Sequence, residues 1–382
     1  MAQKGPLSGI LIVDLSRILA GPYCTHLEAE LGARVIKVET PQGDDARQYG
    51  PFTNGKSTYF ASINRGKESI ALDLKTAADR EIFERLLDKA DVLVENFRPG
   101  TMERLGYGWE TLHPRYPRLI YAAASGFGHS GPYSHYPSYD MVVQGLGGIM
   151  SITGTPGGEL VRVGTSIGDL GGGLYTTIAL NAALYHRERT GEATKIDVAL
   201  FDCQLALLEN AVMRYTTTGE IPGPLGARHP SITPFEAFAT KDGHIIIAAG
   251  NDGLYVKLTQ ALNRPDLAEN PLFKTNPLRN QHQPALKVEI ESTLKDGTTE
   301  HWIAALEKAG IPCGPVNNVA QAIAHPQTEA RNMLVEVDDP VTGPLKLAGN
   351  PMKLSAFPDP HTRAPAPDLD ADRVKILREL GL

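Results

Sequence analysis

The chain has 382 residues, enough for two to three domains of ordinary size and for cores that need no metal or disulfide staple. Apolar residues make up 42% and charged residues 21%, with a mean hydropathy of -0.20, which excludes a disordered or fibrous chain. The net charge of -7 excludes the broad basic face that a nucleic-acid partner needs, and leaves room for a local basic pocket.

The opening segment MAQKGPLSGILIVDLS lacks a small-residue cleavage pattern and reads as a loop and a buried strand, not a secretion signal. No apolar run approaches the roughly 18 residues of a membrane span. The three cysteines, Cys24, Cys203 and Cys313, fit neither a disulfide framework nor zinc spacing, so a reducing cytoplasm is the expected compartment. GILIVDLS (9–16) predicts a strand, and residues 21–33 a helix with Pro22 harmless in its first turn. Strands follow at 34–39, 68–74, 91–97 and 119–125. Residues 77–90 carry Ile82, Leu86 and Leu87 at helical spacing. Near-continuous apolar strands alternating with helices imply an α/β fold, with a parallel sheet covered on both faces. Ligands of such sheets sit beyond the carboxyl ends of the strands, here Ser16-Arg17, Glu39-Thr40, Lys75, Asn96-Phe97-Arg98 and Ser125-Gly126.

Residues 131–164 are dense in Gly, Pro, Ser and Tyr. A helix is expected over 169–191, ended by Gly191, then a strand at 195–202 and a helix to about residue 217. The Pro/Gly-rich stretch 217–234 reads as a linker. A hairpin (236–250) and helices at 252–263, 278–295 and 298–310 suggest a small second domain, 235–325. Short strands are expected within 341–355 and a last helix at 372–380.

Asp169, in SIGDLGGG, has two readings. It is an N-cap, or it is a nucleophilic carboxylate, ionised at its ordinary pKa of about 3.9 and able to form a mixed anhydride with an acyl group. On the second reading the helix start would supply N–H donors to the anion, and Gly171–Gly173 would let a bulky thioester approach. GDLGGG lacks the preceding strand and following acidic residue of a dinucleotide fingerprint. Lys75, Arg98 and Arg104 could grip phosphates together, or be ordinary solvated charge. The histidines show no metal-binding spacing, so no metal is expected, and no G-x-S-x-G elbow supports a serine hydrolase.

The ordered motifs LSGILIVDLSRILAGPYCTHLEAELGARVIKVE (7–39), NRGKESIALDLKT (64–76), ADVLVENFRPGTMERLG (90–106), SGFGHSGPYSHYPSYDMVVQGLGGIMSITG (125–154), GTSIGDLGGGLY (164–175), KDGHIIIAAGN (241–251) and GIPCGPVNNV (310–319) resemble the family III CoA-transferases. The resemblance implies a Rossmann-like large domain built from 1–216 and the returning segment 326–382. It also implies an interlocked homodimer whose active sites lie between domains of opposite subunits. Asp169 matches the family's catalytic aspartate. Matching CoA-binding positions are Arg17, Ile18, Ala20, Leu72, Lys75, Asn96, Phe97, Arg98, Arg104, Leu105 and Tyr139. Thr40 and Pro137 depart from an arginine and a lysine of the formyl-CoA enzymes. Gly250 and Asn251 fall where those enzymes carry a glycine-rich flap. A CoA thioester is the implied substrate, with no tightly bound cofactor, no nucleic acid and no membrane.

Tyr139 stands where racemases of this fold place a histidine, and a phenol of pKa about 10 cannot relay the same proton at neutral pH. SRILAGP (16–22) and GARHPSITPFEAF (226–238) look closest to members that use dicarboxylates, with succinyl-CoA as donor and itaconate, mesaconate, glutarate or citramalate as acceptor. Arg17, Arg47 and Arg228 are candidates for the unreacted carboxylate, or for linker and interface roles. The alternatives are a formyl- or oxalate-type transferase, a 2-methylacyl-CoA racemase, and a CoA-binding protein without catalysis.

Overall fold

The short apolar runs become strands of one sheet: β1 (Leu11–Asp14), β2 (Arg34–Glu39), β3 (Glu68–Ala71), β4 (Val92–Glu95), β5 (Ile120–Ser125) and β6 (Lys195–Ala199). The structure is a computed structural model describing residues 4–382. The strand order is β3-β2-β1-β4-β5-β6, with every pairing parallel. The order reverses between β1 and β4, and such a reversal opens a crevice at the carboxyl ends of those two strands. β4 and β5 are buried along their whole length, as their unbroken apolar character requires.

The helices used below are, in chain order, α1 (Ala20–Glu30), α2 (Thr58–Asn64), α3 (Ala77–Leu87), α4 (Asp140–Leu146), α5 (Ile167–Thr190), α6 (Leu200–Leu207), α7 (Glu209–Thr218), α8 (Asp252–Ala261), α9 (Gln283–Leu294), α10 (Thr299–Lys308) and α11 (Arg373–Leu380). On one face of the sheet Val13, Ile36 and Ile70 pack with Phe83 and Leu86 of α3 and Ile376 of α11. On the other, Ile12, Val35, Val94 and Ala122 pack with Cys24 of α1 and Leu180, Ala183 and Leu184 of α5. Burial raises the Cys24 thiol well above its usual range, as an inert core cysteine requires.

α5 crosses its neighbours very closely. A Cβ on Gly173 would stand 2.8 Å from the Ala20 carbonyl oxygen, and one on Gly172 3.0 Å from Leu200. This corrects the expectation for Gly171–Gly173: all three are buried against protein, and their smallness serves helix packing, not thioester access.

β3 is an edge strand, and the chain's last segment covers it. Asp372 accepts from the Ser69 N–H (2.9 Å) and Asp370 from the Ala71 N–H (2.8 Å). Arg373 donates to the Ala71 carbonyl (2.8 Å). Contacts divide the chain into two units, the first holding everything up to Met150 together with Arg162–Ile221 and Pro326–Leu382. The second holds Ser151–Val161 and Pro222–His325. Its antiparallel sheet joins β7 (Phe235–Ala239), β8 (His244–Ala248) and β9 (Cys313–Pro315). Phe238, Ile245 and Ile247 pack there against Leu258 of α8, Leu286 and Ile290 of α9 and Leu306 of α10.

Several elements depart from expectation. The strand expected over 195–202 stops at Ala199, where α6 begins, and the following helix breaks at Leu208 into α6 and α7. The helix expected over 278–295 is two pieces, Asn276–Gln281 and α9, because Pro284 takes the first turn of a new helix after His282. Near the end, β10 (Leu334–Asp339) and β11 (Gly343–Ala348) form a hairpin that starts earlier than expected. Among the described residues no helix is long and apolar enough to cross a membrane.

Candidate active site

The loop after β1 is fixed by buried charge. Asp14 accepts from the Ser16 N–H (2.9 Å), Thr25 Oγ1 (2.6 Å) and Lys67 Nζ (3.1 Å). Burial pushes the Asp14 carboxyl up, but the Lys67 and Lys37 ammoniums outweigh it and hold it at about 2. Lys37 donates to the Ser16 carbonyl (2.7 Å) and pairs with Asp44 (2.9 Å). Asn96, just past β4, accepts from the Arg17 N–H (2.8 Å) and donates to the Arg17 carbonyl (2.8 Å). The Ile18 N–H donates to Asp44 (3.1 Å). Ile18 has φ +69°, a left-handed conformation that a β-branched residue adopts only where its surroundings impose it, at a cost of about 1–3 kcal/mol. Glu95 braces the neighbouring loop, accepting from the Phe97 N–H (2.7 Å) and Tyr121 Oη (3.0 Å).

These loops border the crevice between β1 and β4, where a cavity of about 400 Å³ opens. Arg17, Ile18, Ala20, Asn96, Phe97, Arg98 and Tyr139 line it together with Asp169. A second cavity of about 210 Å³ shares Arg17, Phe97 and Thr101 with the first, and is lined by Leu72, Lys75, Leu105 and Thr40. Arg104 lines neither and donates to Thr101 Oγ1 (2.9 Å). Arg47 is elsewhere. Its guanidinium grips Glu39 through two nitrogens (2.8 and 2.6 Å) and lies 3.8 Å from the centre of the Phe60 ring.

In the second unit Arg228 donates to Gln283 Oε1 (3.2 Å), and its buried Nε has no hydrogen-bond partner among the described residues. Asn251 caps α8 by accepting from the Leu254 N–H (2.9 Å). Gly250 precedes it with open space on its Cβ side.

Asp169 is the third residue of α5, whose N-cap is Ser166, so it is not itself the cap. Its carboxylate accepts no hydrogen bond among the described residues. Burial pushes the carboxyl up, the Asp140 charge adds to the push, and it reaches about 7. The expectation of a carboxylate fully ionised at neutral pH is corrected accordingly. Tyr59 of α2, affected by burial first and by Asp169 second, is pushed up to about 12.

The donors of the helix start are already engaged. Asp140 Oδ1 accepts from the Gly168 N–H (2.8 Å) and, more weakly, from the Asp169 N–H (3.4 Å). Those amides therefore hold a carboxylate of the protein, not a substrate oxyanion. Gln144 secures this carboxylate, donating to Asp140 Oδ2 (2.8 Å) while accepting from the Val163 N–H (3.0 Å). Asp140 and Gln144 were missed in the sequence. Their spacing of four in DMVVQ puts both on one helix face, but that signal is common.

A pH profile follows. Nucleophilic attack by a carboxylate at this position would need its ionised form, so an activity that depends on it is expected to rise with pH around a midpoint near 7. Asp140→Asn keeps an acceptor for Gly168 but removes the charge, and is expected to move that midpoint to lower pH. An unmoved midpoint in initial rates from pH 5 to 9 would count against the Asp140 contribution.

Across residues 7–373 the chain matches the model of CoA-transferase family III. The chain belongs to this family. The family III transferase is 47% identical to acetyl-CoA:oxalate CoA-transferase of Acetobacter aceti, over 99% of this chain and 96% of that protein. It is 40% identical to succinyl-CoA:mesaconate CoA-transferase of Haloarcula hispanica, over 99% of this chain and 97% of that protein. Among solved structures, a CaiB/BaiF family protein from Brucella suis superposes with a TM-score of 0.86 at 40% identity, covering 99% of this chain and all of that one. The Rossmann-like large sheet expected from the resemblance is thus borne out.

Proposed function

We propose that this family III CoA-transferase moves CoA from succinyl-CoA to a second dicarboxylic acid by covalent catalysis on Asp169. The observation that carries the reading is Asp169 itself, with a carboxylate that accepts no hydrogen bond among the described residues, in a cavity lined by the residues expected to hold CoA. An Asp169 oxygen attacks the thioester carbonyl, the C–S bond breaks, and an aspartyl anhydride and CoA thiolate result. The thiolate attacks the aspartyl carbonyl and releases the donor acid, leaving an aspartyl-CoA thioester. The acceptor carboxylate attacks that thioester and expels the thiolate. The thiolate then takes the acceptor acyl group from the new anhydride and restores Asp169. Each step exchanges one activated acyl group for another, so thioester energy is kept provided water is excluded.

The mesaconate-using relative supports a dicarboxylate acceptor with succinyl-CoA as donor. The 47% identity to the oxalate enzyme favours a second reading, acetyl-CoA as donor and oxalate as acceptor. The active form in either case is a homodimer. Support for it comes from Ile178 and Tyr185 on α5 and Met213 on α7, exposed at 63%, 68% and 64%.

The deciding experiment incubates the protein with succinyl-CoA or acetyl-CoA and, separately, oxalate, glutarate, mesaconate, itaconate and citramalate. New CoA esters are read by mass spectrometry. Ester formation from succinyl-CoA is the expected result. Turnover only with acetyl-CoA and oxalate would favour the second reading, and no ester with any acid would sink both.

A further inference from the structure

The larger cavity holds an ion pair that the transfer steps do not use. One Arg17 nitrogen, Nη2, meets one Asp45 oxygen, Oδ2, and both residues line the cavity that Asp169 lines. The remaining Arg17 guanidinium nitrogens and the second Asp45 oxygen have no partner among the described residues. The two side chains are 41% and 48% exposed. An ion pair this open to water is held weakly, so an incoming anion displaces it at little cost.

The two partners are held differently. The Arg17 main chain is clamped on both sides by Asn96, and Ile18 beside it is pinned to Asp44. Asp45 opens the short turn Asp45–Gln48, and among the described residues its carboxylate pairs with Arg17 alone. Arg47, two residues on, cannot serve an incoming acid in the same way, because Glu39 already occupies it through two nitrogens.

The geometry points to Asp45 as an internal stand-in for the distal carboxylate of a dicarboxylate substrate, and so as a specificity-determining residue. The inference rests on the dicarboxylate reading above. A bound diacid offers one carboxylate to the chemistry at Asp169 and the other to Arg17. At Arg17, two parallel N–H···O bonds replace the single contact with Asp45. Asp45 turns out to solvent, and no bond is made or broken. An acid with one carboxylate has nothing to exchange and leaves the pair intact.

The test measures KM for the best diacid acceptor in four forms: wild type, Asp45→Asn, Arg17→Gln and the double variant. With the competitor removed, Asp45→Asn is expected to lower the diacid KM by about two- to fivefold. On the Arg17→Gln background the same substitution is expected to leave KM within about a factor of 1.5. An unchanged or raised KM in Asp45→Asn overturns the inference, as does an equal fall on both backgrounds, which would mark a general charge effect. A wild type that accepts no diacid overturns the dicarboxylate reading and this inference together. A wild type that accepts one while Asp45→Asn behaves like it overturns the inference alone.

Discussion

Replacing Asp169 by asparagine is expected to abolish CoA transfer and, at pH 8, to make the protein harder to melt. The amide cannot form the anhydride, and loss of a covalent nucleophile costs on the order of 10^4-fold or more in kcat. The stability gain has a definite sign. The Asp169 carboxyl has a pKa of about 7 in the folded chain against an ordinary 3.8, so between those values the folded state holds a proton that the unfolded state has released. Folding stability therefore falls as pH rises through this window, and above pH 7 the protein carries the full cost of a buried charge. The difference between 3.8 and about 7 corresponds to about 4 kcal/mol, reduced to on the order of 2 kcal/mol by the partial exposure of the site. The variant is expected to melt a few degrees higher at pH 8 and no higher at pH 5, where the native carboxyl is already neutral. Transfer persisting near the wild-type rate would remove Asp169 from the mechanism. A pH-independent difference in melting would show that its charge is not what costs stability.

Lys67→Met is expected to have the largest effect on stability. Lys67 Nζ is fully buried, and its three N–H groups are shared among Asp14 (3.1 Å), the Pro22 carbonyl (3.0 Å), Thr25 Oγ1 (2.8 Å) and Asn64 Oδ1 (2.9 Å). Methionine matches its length but strips these bonds, and leaves the buried Asp14 with the more distant Lys37 as its compensating cation. Breaking a buried pair from one side costs about 3–5 kcal/mol. The loop that presents Arg17 and Ile18 hangs from this network, so KM for the acyl-CoA is expected to rise as well. Urea denaturation with steady-state kinetics reads both effects. A denaturation midpoint within error of wild type would show that Lys67 does not hold Asp14.

The strands of the large sheet were legible because each is a short apolar run bounded by polar residues, and burial on both faces leaves no alternation to misread. Their order was not, since pairing between distant runs such as ESIA (68–71) and RVIKVE (34–39) leaves no local trace. The helix α4 was hidden in a stretch whose Gly, Pro, Ser and Tyr content reads as loop. Its start carries Asp140, so missing the helix meant missing the carboxylate that occupies the amides before Asp169 and raises its pKa. The role of Gly171–Gly173 was misassigned for a related reason. Sequence shows that something comes close to the backbone, but not whether it is a ligand or the Leu200 side chain and Ala20 carbonyl. The positions gathered at the cavity were found by motif, since Arg17, Asn96 and Asp169 lie far apart in the chain and meet only through the reversal between β1 and β4.

The covering of β3 by Asp370, Asp372 and Arg373 bears on how the chain is made. Until those residues have emerged from the ribosome, a growing chain that already holds all six strands displays an unprotected edge with free N–H and C=O groups. About 300 residues separate the strand from its cover, so closure is a late, non-local event that local structure cannot hasten. The interval in which nascent chains can pair edge to edge is thus set by the time needed to synthesise the whole second unit, and this is the stage at which a chaperone would matter most.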